Sequence, residues 1–177
     1  MAAWQIYDLS RDLKATNSVA EKLKILTSPR HDVFFEASTK DPGESWTSAH
    51  QSGLFELLLR DLAEIKGEPV KQFSNITLWG GSLTKILPQT MLCSFFIVAG
   101  EAAQLCLTYG IHSKIHPAQR RLIVEQIPVV FRRSVTTIQK LVGTADPTLN
   151  DEIFKLRDSV VILMGQSFCA TEYDAAL

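Results

Sequence analysis

The chain has 177 residues, of which 46% are hydrophobic and 21% charged, and its formal net charge is -1. This is the length of one domain, with enough apolar material to bury a full core. It excludes a disordered or low-complexity chain. It also excludes a global electrostatic pull towards nucleic acid or membrane, so any such pull must be local.

The first residues, MAAWQIYDLSRDLKATN, contain no basic region followed by an apolar run, which predicts a chain without a secretory signal. Cys93, Cys106 and Cys169 are too few and too scattered for a disulfide framework. Together these features predict an intracellular, cytoplasmic protein with reduced thiols. The sequon at Asn75 is then expected to go unused.

Ser18 and Glu21 have the spacing of a capping box and open a short helix that Pro29 ends. Asp32–Glu36 reads as a short strand. Residues 38–53, rich in turn formers, predict a mobile loop. Trp46 lies within it, where it either folds back on the core or offers a protein contact. Leu54 to Lys66 is the clearest amphipathic helix, with Leu54, Leu57, Leu58, Leu62 and Ile65 along one face. Phe73–Trp79 alternates and reads as a second strand, turned by Gly80 and Gly81.

Residues 88–110 are almost wholly apolar. Glu101 breaks the run too early for a span of about 20 residues, so no transmembrane helix is expected. Leu92, Phe95, Phe96, Ala99, Ala103, Cys106 and Leu107 share one helical face and flanking residues widen it. Such a helix is buried on all sides. Pro88 and Gly110 suit its start and stop, and Gly100 admits a close neighbour. His116-Pro117 opens the next helical segment. There, Ile123, Ile127, Val130, Phe131, Val135, Ile138, Leu141 and Val142 form one stripe across a kink at Pro128. The last helix starts near Asp151, with Ile153, Leu156, Val160, Leu163 and Met164 facing inward. Residues 168–177 read as a loose tail. The expected architecture is mainly α with a few short strands, one compact domain over 1–177. The alternative is α+β, with helices packed on a small antiparallel sheet.

No phosphate loop, dinucleotide fingerprint or nucleophile–base motif is present, and no cofactor is expected. His112 and His116 are four apart, but Pro117 disfavours a helix at His116 and no fourth ligand follows, so no metal site is expected. Glu101 is either a carboxylate on a polar edge or an acid in an enzymatic or ligand-binding pocket. The local signal is basic. Lys114, Arg120, Arg121, Arg132, Arg133 and Lys140 face only one acid, Glu125, so the segment carries six minus one, or +5. Arg121 and Arg132 are eleven apart and fall on one helical face about 16 Å apart. These side chains either pair with acids of other helices or meet an anionic partner, RNA or lipid headgroups.

In size, single-domain layout, lack of a signal and local basic face, the chain resembles the matrix proteins of plant-infecting rhabdoviruses. The resemblance implies an α+β fold and a non-enzymatic structural protein of the virion. Such a protein self-associates into homo-oligomers, condenses ribonucleoprotein and contacts the anionic inner leaflet of a membrane. Trp46 would then serve self-association, and the arginine stripe ribonucleoprotein or lipid. The chain departs from animal-virus relatives in having no Pro-Pro-x-Tyr motif and no Lys-rich N-terminal arm.

Overall fold

The structure, a computed structural model, describes residues 2–28, 42–66, 83–110, 117–142 and 150–172, with side chains in 5–28, 47–66, 91–107, 119–142 and 150–168. Seven helices occupy these residues: α1 Ala2–Lys14, α2 Val19–Leu26, α3 Pro42–Gln51, α4 Leu54–Glu64, α5 Leu83–Gly110, α6 Pro117–Val142 and α7 Asn150–Glu172. Among the described residues there is no strand. Both expected strands, 32–36 and 73–79, lie outside them.

The organising element is α5. Its residues Leu92, Phe95, Phe96, Ala99, Ala103, Cys106 and Leu107 are all buried, and so are Cys93, Ile97 and Ala102. The expected burial on all sides fails along one stripe, where Met91, Ser94, Val98 and Leu105 are half-buried and Glu101 is exposed; the rest of the helix is apolar and needs neighbours. It packs against α2, α3, α4, α6 and α7. One continuous core results, built from α1 through α7, and the chain is a mainly α single domain. The helix begins at Leu83, so Pro88 falls inside it and not before it. The loss of one backbone hydrogen bond at that proline does not end the helix. No helix among the described residues is long and apolar enough to cross a membrane.

Around this pillar, local chemistry sets the ends of the shorter helices. Ser18 caps α2, its Oγ accepting from the Glu21 amide at 3.3 Å. The reciprocal half of the capping box is relayed. The Ser18 amide donates to Thr16 Oγ1 at 3.1 Å, and the Thr16 hydroxyl donates to the Glu21 carboxylate. Lys22, only 2% exposed, pairs with Asp61 and ties α2 to α4. Burial pushes the Asp61 carboxyl up and the Lys22 ammonium opposes that rise.

Two expectations need correction here. Residues 42–51 are a helix and not a loop. Pro42, with its fixed φ, occupies the first helical position, and the turn formers Ser52 and Gly53 close the element. Gly53 adopts φ 69°, which a residue without Cβ tolerates. The Ser52 carbonyl accepts from Lys14 Nζ at 2.7 Å and from Ser10 Oγ at 2.8 Å, so α1 holds the junction in place. α1 itself has no counterpart among the expected elements, although Ile6, Leu9 and Leu13 recur at helical spacing and are fully buried. At the other end α7 continues to Glu172, so 168–172 are helical and not a tail.

α5 and α7 approach closely at Gly100. A Cβ there would lie 2.7 Å from Ser159 Oγ. Gln104 Nε2 donates across the same contact to the Ser159 carbonyl at 2.8 Å and its hydroxyl at 3.1 Å.

Candidate interaction surface

α6 is a single helix from Pro117 to Val142 with Pro128 inside it. At 100° per residue its apolar positions form two adjacent stripes, not one. Ile123, Ile127, Val130 and Leu141 are buried against the core. Val124, Phe131, Val135 and Val142 turn away and are exposed, Phe131 by 40%. α7 repeats the division. Leu156, Val160 and Leu163 are buried, whereas Phe154, Val161 and Phe168 are exposed, the last two by 58% each.

Phe131 and Val135 of α6 and Met164 and Phe168 of α7 border a common groove of about 500 Å³, whose walls also include Pro128 and Arg132; Phe154 and Val161 lie outside it. A smaller hollow of about 170 Å³ continues it along Val124 and Ile127 towards Phe168. Low-numbered residues of α6 thus lie beside high-numbered residues of α7, so the two helices run antiparallel. Arg157 covers the Phe154 ring at 5.1 Å and pairs with Asp158 at 2.7 Å.

The basic residues do not act as one patch. Lys114 lies outside the described residues. Arg120 is half-buried, and Arg121 is exposed and pairs with Glu125 at 2.7 Å. Arg132 and Lys140 are exposed, and Arg132 forms part of the groove wall. Arg121 and Arg132 do share a face. Arg133 does not, because consecutive helical residues differ by 100°. Its guanidinium turns inward, donates to the Leu62 carbonyl at 2.6 Å and to the Ile65 carbonyl, and lies 5.2 Å from the Phe96 ring centroid. It satisfies the carbonyl end of α4, a position that suits a cation. Burial lowers its affinity for the proton, and Glu64 opposes that effect. Arg133 is therefore withdrawn from the exposed set.

Glu101 is exposed on α5 and forms no part of either hollow. Partial burial raises its carboxyl, with Lys155 pulling the other way. The Cys93 and Cys106 thiols are pushed up to about 12 by burial, which keeps them protonated and unreactive at neutral pH. Among the described residues no three metal-ligating side chains come together. His112 and His116 lie outside them, as does the side chain of Trp46, whose backbone belongs to α3.

The exposed seam on α7 is absent from the sequence expectations, which hold only the inward residues of that helix. Its signal is present nonetheless: Phe154, Val161 and Phe168 are seven apart. The chain matches no protein-family model, and neither a curated protein nor a solved structure shows significant similarity to it.

Proposed function

We propose that this chain is a non-enzymatic structural protein that works by self-association, and that the outward face of α6 and α7 is its working surface. The supporting observation is that, among the described residues, Val124, Phe131, Val135 and Phe168 are exposed apolar side chains lining one groove and its continuation, with Phe154 and Val161 exposed further along α7. Scattered exposed apolar residues are ordinary; a contiguous set lining a groove marks a contact surface. Nothing comparable supports an enzyme built around Glu101, which borders neither hollow.

Arg132, with Arg121 on the same face about 16 Å along the helix, supplies the second part of this reading, a peripheral contact with an anionic partner such as ribonucleoprotein or a lipid surface. Self-association joined to an anionic contact is the division of labour of a viral matrix protein. Sedimentation velocity across rising concentration tests the first part: a reversible shift from monomer to dimer or higher species is expected. A monomer at every concentration contradicts it. Retention on RNA or anionic vesicles that weakens steeply with salt, and further on Arg132→Ala, tests the second part. Retention unchanged by either would contradict it.

A further inference from the structure

We infer that the occupant of the α6–α7 groove is the same face of a second copy, with α6 of each copy lying against α7 of the other in an antiparallel four-helix bundle. This rests on the self-association reading and specifies its geometry. Three observations carry it.

The first is periodicity. On α6, Val124, Phe131 and Ile138 are seven apart, and so are Pro128, Val135 and Val142. On α7, Phe154, Val161 and Phe168 are seven apart, with Met164 three beyond Val161. The α6 stripe keeps the alternating three- and four-residue spacing that lets helices mesh at about 20°, and the α7 stripe keeps it from Val161 to Phe168, with Arg157 and Asp158 filling the turn before Val161. A face built from two such helices is complementary to a copy of itself, as an isologous twofold interface requires.

The second is topology. α6 and α7 already form an antiparallel pair, which is half of an up-down-up-down bundle. Among the described residues, their groove lacks the two further helices that complete such a bundle.

The third is charge, and it selects the axis. The α6 side of the face carries Arg121 and Arg132 against Glu125, whereas Lys140 lies within about 20° of the inward Arg133 and is off this face. The α7 side carries Asp151 and Asp158 against Arg157. Lys155 of the same helix is directed elsewhere, to Glu152 at 3.4 Å and towards Glu101 of α5. A twofold axis parallel to the helices sets the cationic side of one copy beside the anionic side of the other. An axis perpendicular to them would set α6 on α6 and oppose like charges, a mismatch that specific interfaces avoid. Rotation about the parallel axis preserves height along the helices. Residues 123–128 of α6 meet Ser167 and Phe168 of α7, so Val135, about two turns on, faces the turn that ends at Val161 in the second copy.

The test is a charge swap at two exposed positions, Val135→Lys and Val161→Glu, read by native mass spectrometry and sedimentation. Circular dichroism and thermal melts establish that each variant folds. The wild type is expected to dimerise, and each variant alone to dimerise about 100-fold more weakly, because an unpaired charge is buried in the seam. An equimolar mixture of the two variants is expected to recover a heterodimer, since the ammonium introduced on α6 of one copy then meets the carboxylate introduced on α7 of the other. A wild type that is monomeric throughout overturns both this inference and the self-association reading. A wild-type dimer whose folded variants dimerise undiminished overturns this interface and leaves self-association standing. Loss in each variant without recovery in the mixture overturns the pairing of α6 with α7.

Discussion

Arg132 and Arg133 are adjacent in sequence and opposite in consequence. Arg133 feeds the last carbonyls of α4, so Arg133→Met keeps the aliphatic packing but strands those acceptors. A loss of about 2 kcal/mol is expected. Arg132→Ala touches only a groove wall and should change monomer stability by no more than about 0.5 kcal/mol. Urea denaturation of both variants at low protein concentration checks the contrast, and equal losses would refute it. Gly100 is the other decisive position. Gly100→Ala gains about 1 kcal/mol in helix propensity, yet its Cβ would sit 2.7 Å from a Ser159 hydroxyl already engaged by Gln104. Overpacking of this kind costs about 1–3 kcal/mol. The substitution is expected to be net destabilising, and Ser159→Ala in the same chain to recover most of the loss. A Gly100→Ala variant more stable than wild type would show the contact to be loose. Gly100 was legible from the sequence as a close approach because a glycine inside an apolar helix has few other uses. The opposite fates of Arg132 and Arg133 were not, because nothing local says where the end of α4 lies.

The elements differ in legibility for reasons that are themselves physical. α5 is apolar over most of its circumference, and that pattern calls for neighbours on most sides in water. α4 shows a single clean stripe. α3 was hidden because its residues, PGESWTSAHQ, are poor helix formers, and tertiary packing overrides propensity. α6 and α7 read as helices in the sequence, but their inner and outer stripes lie side by side and merge in one dimension. Ile127 and Phe131, four apart, differ by only 40° on the wheel, and neighbouring helices decide that one is buried and the other open. The α2–α4 join makes a prediction about pH. The Asp61 carboxyl is raised above its usual value of 3.8, chiefly by burial. The folded state therefore holds that proton more tightly than the unfolded chain. The contribution is fully present below the usual carboxyl range and is lost as pH rises through the raised value. Comparing wild type with Asp61→Asn over that window should show the wild type losing stability relative to the variant as pH increases. A relative gain would mean that Lys22 outweighs desolvation.

At the scale of the whole molecule, the seven helices of the described residues enclose one core, and α6 and α7 keep exposed apolar side chains. The helices α2–α4, backed by α1, close the pillar α5 on its flanks. α6 and α7 cover the remainder but each keeps a second seam facing water, bordered by cations on α6 and acids on α7. The central claim is that this face associates with its own copy. Hydrogen–deuterium exchange at low and high protein concentration tests it most directly. Added protection at high concentration is expected in residues 124–142 and 154–168, with α1–α4 unchanged. Exchange independent of concentration, or protection gained on α1–α3 instead, would contradict the account.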